Sequence, residues 1–123
     1  MIEETVLNYL NECFQQDGIQ AFMEVPDAKN PGKVGRQFIV VEKTGSSMEN
    51  WIFQSTMAIQ SYGETLYEAA ALNERVKEAM FGILSCDEVT KVTLNSDYNF
   101  TNPSTKQPRY QAVFELTHYF KNE

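Results

Sequence analysis

Between residues 63 and 84 apolar side chains return every three or four positions and predict a helix. Ala69, Leu72, Val76, Ala79, Met80 and Ile83 fall on one stripe, while Glu68, Asn73, Glu74, Arg75, Lys77 and Glu78 take the other faces. Strong helix formers fill the stretch, and Thr65 with Glu68 three residues later predicts a capping box at its start. A second stretch, residues 2–16, repeats the pattern. Ile2, Val6, Leu10, Cys13 and Phe14 share a face with Tyr9 beside it, and Glu3 and Glu4 lie near the positive end of the helix dipole. Asp17-Gly18 closes this helix, with Gly18 suited to a left-handed cap.

Elsewhere the period drops to two, or apolar runs are short and bounded by turn residues. This predicts strands over residues 19–25, 37–43, 51–62, 89–95 and 109–120. In the strand at 51–62, Trp51, Phe53, Met57 and Ile59 alternate with Gln54, Thr56, Ala58 and Gln60, and Ser55 interrupts the apolar series. The last strand alternates most cleanly. Tyr110, Ala112, Phe114, Leu116, His118 and Phe120 face one way, and Gln111, Val113, Glu115, Thr117 and Tyr119 the other. Gly45 and two serines predict a turn over residues 44–50, and two loops are expected, over 26–36 and 96–108. The order α-β-β-β-α-β-β is an α+β fold: two helices packed on one face of a mixed, mainly antiparallel sheet.

Composition narrows the class. The chain has 123 residues, enough for one core, and reads as a single domain over 1–123. Its 42% hydrophobic and 22% charged residues are those of a folded protein. A net charge of −7 argues against a surface built to grip nucleic acid. The basic-leaning stretch is the 26–36 loop, either a solvated loop or a contact arm for an acidic partner. No apolar run approaches membrane length, and the acidic start MIEETVLNYL lacks an export signal, so cytoplasmic synthesis is expected. Cys13 and Cys86 have no CxxC spacing and read as buried or semi-buried free thiols.

No catalytic motif emerges. His118 and Glu115 are three apart on a strand, so their side chains point to opposite faces and cannot form a local acid–base pair. One histidine and two unspaced cysteines do not make a zinc motif, and no phosphate or dinucleotide loop is present. The expectation is a non-enzyme with no cofactor, unless a constellation is assembled in space.

Strand length points outward instead. Twelve residues at 51–62 and at 109–120 would each extend ~40 Å, against a domain diameter of about 35 Å. Either bulges shorten these strands, or they protrude and present apolar surface and open edges that another subunit covers. Tyr98 and Phe100, in otherwise polar surroundings, either tuck onto the core or anchor a partner. Trp51, Phe53, Tyr98, Phe100 and Tyr119 are the candidate contact residues.

Two stretches carry a family resemblance. QFIVVEKTGSSMENWIFQSTMAIQSYGETLYEAAALNERVKEAM is a strand, a Gly-containing turn, a long strand and an Ala-rich helix. LNSDYNFTNPSTKQPRYQAVFELT is a strand, a Tyr-Asn-Phe loop with prolines, and a long closing strand. Together they resemble the tail-terminator (minor tail) proteins of long-tailed bacteriophages and prophages, with the head–tail joining or tail-completion proteins as a neighbouring class. The resemblance implies a ring, commonly hexameric, at the head-proximal end of the tail tube. Such a ring stops tube polymerisation and offers a docking surface to the head connector. Its implied partners are copies of itself, the tail-tube protein and the connector, with DNA passing through without specific binding. Its implied location is the virion, after assembly in the host cytoplasm. A head-to-tail interface that closes makes such a ring. The rival expectation is a soluble protein-binding module acting as a monomer or dimer.

Overall fold

The computed structural model describes residues 1–26 and 37–119. The described residues form helix α1 (Ile2–Cys13), strands β1 (Gln20–Phe22), β2 (Phe38–Glu49) and β3 (Ile52–Tyr62), helix α2 (Leu66–Phe81), and strands β4 (Val89–Asn99) and β5 (Arg109–Tyr119). This is the α+β order expected. All but Pro26 of the 26–36 loop, and Phe120, lie outside the described residues.

The strands make one five-stranded sheet in the order β1-β2-β3-β5-β4. β1 pairs with β2 in parallel, and the remaining neighbours are antiparallel. The sheet is therefore mixed and mainly antiparallel. α2 is the crossover that lets β5 and then β4 be added beside β3.

Both helices lie on one face. Val6 and Leu10 of α1, Leu72, Val76 and Met80 of α2, and Ile39, Val41, Met57, Ile59, Ala112, Phe114 and Leu116 of the sheet form one buried cluster. The alternating strands supply one side of it and the helical stripes the other. Burial of this apolar area supplies most of the folding drive. On the opposite face a smaller cluster of Phe38, Val40 and Tyr62, with Phe22 against it, closes one end of the sheet.

The start of α2 follows from its sequence. Thr65 is extended, and its hydroxyl oxygen accepts from the Glu68 N–H at 3.1 Å. The Glu68 carboxylate accepts from the Glu64 N–H at 3.2 Å, so the return bond of the box lands one residue early. Gly63 permits this entry: a Cβ there would sit 2.7 Å from the Ala69 nitrogen and 2.8 Å from the Glu68 Cβ. Thr65→Ala is expected to destabilise the fold by about 1 kcal/mol, and Thr65→Gly by only a few tenths. Denaturant midpoints at constant m-value measure the difference.

Several boundaries differ from the sequence reading. β1 is three residues long rather than spanning 19–25. Residues 44–49 are strand, not turn: Gly45 pairs with Thr56 and the ladder continues to Glu49 opposite Ile52. Only Asn50 and Trp51 turn, with φ of 52° and 66°. The misreading has a physical cause. Residues 42–49 are exposed, so no burial pattern marks them as strand. Their glycine and serines accompany a register irregularity at Thr44, whose hydroxyl donates to the Thr56 carbonyl at 3.4 Å. At the other end β4 runs to Asn99, through a second irregularity between Leu94 and Ser96, so Tyr98 is a strand residue rather than a loop residue.

Two side chains also depart from their expected faces. Cys13 is exposed, because α1 ends there and Phe14 instead turns inward as the chain enters a 3-10 turn that closes at Gly18, φ 69°. Asn73, expected on an outer face of α2, is buried and donates to Asp97 at 3.2 Å, beside the Lys77–Asp97 ion pair at 3.3 Å.

β3 runs ~36 Å, whereas α2 covers ~24 Å. β5 accompanies β3 throughout, from Ile52 opposite Tyr119 to Tyr62 opposite Arg109. The β2–β3–β5 ribbon therefore reaches beyond α2, which packs against the sheet's middle.

Candidate functional site

The five candidate contact residues fall into two groups at opposite ends of the long antiparallel strands. At the hairpin end, Trp51 is 72% exposed, and Met48, Ile52 and Tyr119 are exposed beside it. A left-handed φ is unusual for a bulky residue, and it holds the Trp51 side chain out on the turn. Tyr119 pairs with Ile52 and donates its hydroxyl to the Asp87 carbonyl, which ties the end of β5 to the turn before β4. Phe53 differs from its expected role as an exposed anchor. It is half-buried and stacks on His118, with ring centroids 5.3 Å apart.

At the opposite end Tyr98 and Phe100 meet edge to face at 5.8 Å. Both are exposed, yet both are also held. The Arg109 guanidinium lies 4.4 Å from the Phe100 ring centroid and 5.9 Å from that of Tyr62. Its Nη1 donates to the Tyr62 hydroxyl at 3.0 Å, and its Nε donates to the Phe100 carbonyl. A side-chain chain continues across the helix-free face. The Tyr62 hydroxyl donates to Gln60 Oε1 at 3.1 Å, Gln60 Nε2 to Gln111 Oε1 at 3.0 Å, and Gln111 Nε2 to the Tyr98 hydroxyl at 2.6 Å. Sequence reasoning missed this network and the organising role of Arg109. The signal was the placement of two glutamines on strands that alternate their faces cleanly, Gln60 and Gln111, which the register sets opposite each other.

A cleft of about 1220 Å³ opens between α1, the segment before β4, and the hairpin half of the sheet. Glu3, Thr5, Tyr9, Ser55, Glu88 and His118 are among its lining residues. Ser55, the residue that interrupts the apolar series, hydrogen-bonds His118 Nε2 at 2.7 Å. Thr5 donates its hydroxyl to Glu88 Oε1 at 2.5 Å, and Lys43 pairs with Glu3 at 3.5 Å. A serine–histidine pair resembles part of a nucleophile relay. Here the Ser55 side chain is buried, and a Glu88 carboxylate oxygen is engaged by Thr5. The pair therefore reads as a satisfied buried polar contact.

Burial lowers the His118 pKa from the ordinary 6.5, and Lys43 adds to this while the Glu88 charge opposes it. Burial likewise raises the Cys86 thiol, with Glu88 acting in the same direction. Burial and a hydrogen bond with Cys13 raise the Tyr9 phenol, whose hydroxyl donates to the Ala79 carbonyl at 2.6 Å. These directions favour neutral groups. Because the folded chain holds His118 less basic than the unfolded chain does, its contribution to stability is complete above pH 6.5. It is lost as pH falls from there toward the lowered folded value. Thermal unfolding from pH 7.5 to 5 is expected to show this decline in the native chain and a flatter profile in His118→Gln.

Among the described residues no group of three or more His, Cys, Asp or Glu side chains is placed to hold a metal ion. None of their helices is long and apolar enough to cross a membrane. No known protein family matches the sequence, and no curated protein matches it. Among solved structures the chain is similar to a crystal structure of a protein from Akkermansia muciniphila, at 13% identity and a TM-score of 0.41, over 98% of this chain and 76% of that one.

Proposed function

We propose that this chain is a structural assembly protein of a phage tail: a subunit of a ring that ends tail-tube growth and joins the tube to the head connector. One observation supports the reading above the others. Four exposed aromatic side chains of the sheet and its loops form two groups at opposite ends of the long strands, Trp51 and Tyr119 (with Ile52) at one end, Tyr98 with Phe100 at the other, while Tyr67 and Phe81 are exposed on α2. A protein that joins two different structures needs two such surfaces held a fixed distance apart, and the long antiparallel strands β3, β5 and β4 supply that distance. Buried aromatic anchors carry most of the energy of protein interfaces.

The test is genetic and structural. Removal of this chain from a host that produces the particle is expected to give tail tubes of unregulated length and heads without tails. Particles of normal tail length and normal infectivity would overturn the reading. The cleft beside α1 is the observation that favours a second reading, a monomeric or dimeric binding module. A discrete dimer that keeps the cleft open and binds a single soluble partner would support it.

A further inference from the structure

We infer that neighbouring copies join edge to edge, β4 of one copy pairing antiparallel with residues 45–49 of β2 in the next. The inference rests on the ring reading above and names the contact that closes it.

The free edges are visible in the sheet. β1 covers β2 only opposite residues 38–40, and no strand among the described residues flanks β2 from residue 41 to Glu49. β4 is the other outermost strand. Among the described residues neither edge has a further partner strand, and such edges recruit one unless they are blocked. Strand direction decides how they can meet. β2, β3, β5 and β4 alternate in direction, so β4 runs opposite to β2. Rotating one copy about an axis along the strands brings its β2 beside the first copy's β4, in the antiparallel sense that continues the sheet. A head-to-tail contact of this kind uses two different surfaces, and so it can close into a ring.

Irregularities limit the length of the joint. Those in β4 fall at residues 90 and 95, and that in β2 falls at residue 44. Such irregularities interrupt edge pairing. They leave 45–49 regular in β2 and two regular stretches in β4, 91–94 and 96–99; through β3 and β5 the register puts 91–94 level with the 45–49 end of the sheet, and the two differ in length by one residue. A joint this short is weak alone and gains strength when the ring closes, which keeps stray chains from adding.

The same geometry decides which face lines the channel. Both helices sit on one face of the sheet. In a closed ring their bulk fits on the outside, where the circumference is larger, so the helix-free face turns inward. In the hairpin half that face carries Gln54, Thr56, Thr93, Glu115 and Thr117, with Lys91 as its cation and the exposed Ile52 and Tyr119 at its tip, and Thr56 donates to Glu115 at 3.3 Å. A wall of amide, hydroxyl and carboxylate groups with one lysine, and an apolar tip, gives passing DNA little to bind, since retention of a polyanion rests on Lys and Arg contacts.

Amide hydrogen exchange on the full chain, compared between its dilute and its assembled state, tests the joint. Assembly is expected to slow exchange about tenfold or more in peptides covering residues 45–49 and in peptides covering 91–94 together. Rings whose two edges exchange as fast as in the lone subunit, or that protect one edge only, would overturn the pairing and leave the ring reading standing. A chain that never assembles removes the ring reading itself. A second readout uses charge. Ser47→Lys with Thr93→Lys is expected to weaken assembly at low salt, and Ser47→Glu with Thr93→Lys to restore it. Equal assembly of the two variants would count against the joint.

Discussion

Phe114→Ala is expected to destabilise the protein by about 3–5 kcal/mol, with a fall in Tm of about 10–20 °C. Phe114 is fully buried at the centre of the sheet, opposite Met57 on β3 and Leu94 on β4, with the Phe81 ring edge-on at 6.2 Å. Truncation removes a large apolar side chain and leaves a cavity between a sheet and a helix, neither of which can move in without disturbing the other. A domain of this size is stable by only about 5–15 kcal/mol, so the loss takes a large share of the total. Phe114→Leu is expected to cost well under half as much, because most of the volume stays filled. Urea titrations with an unchanged m-value check both figures. A loss below about 1 kcal/mol for the alanine variant would mean that the site collapses and that the core is looser than its geometry.

Trp51→Gly is expected to have opposite effects on folding and on assembly. A two-residue hairpin turn with positive φ at both positions favours Asn followed by Gly, and Asn50 is already present. Holding a tryptophan in the left-handed region costs about 1–2 kcal/mol, and the exposed ring recovers little by burial. The glycine variant should therefore be more stable by up to about 1 kcal/mol, less what glycine loses in chain entropy. A tryptophan at the centre of an interface is worth about 2 kcal/mol or more, or roughly 30-fold in affinity. The variant is thus expected to unfold at a higher temperature, and on the proposed tail-assembly role its association with either tail tubes or head connectors weakens about 30-fold. Co-sedimentation with each purified component shows which association is lost. Unchanged binding to both would remove Trp51 from the contact surface, and a lower Tm would mean that the ring packs on the fold.

Where one side of an element is buried, its pattern could be read: the stripe of α2, the alternation of β5, and Gly18 as a left-handed cap. Where an element is exposed on both sides, as β2 is beyond Val41, burial leaves no period, and Gly45 with its serines imitates a turn. Tyr98 and Phe100 were recognisable as aromatic side chains in polar surroundings, and Trp51 and Tyr119 as aromatic residues on strands too long for the core. Their division into two groups was not, because it depends on the register that sets Ile52 opposite Tyr119 and Asn99 opposite Tyr110. The Tyr62–Gln60–Gln111–Tyr98 chain of hydrogen bonds and the Ser55–His118 pair were hidden for the same reason, since each joins residues far apart in sequence.

Whether copies of this chain complete one another is most directly decided by the mass of the purified protein in solution. Light scattering over a concentration series, with electron microscopy of the largest species, should show a closed ring of one fixed copy number that persists as concentration rises. A strict monomer at high concentration, or an open series of ever larger chains, would contradict it.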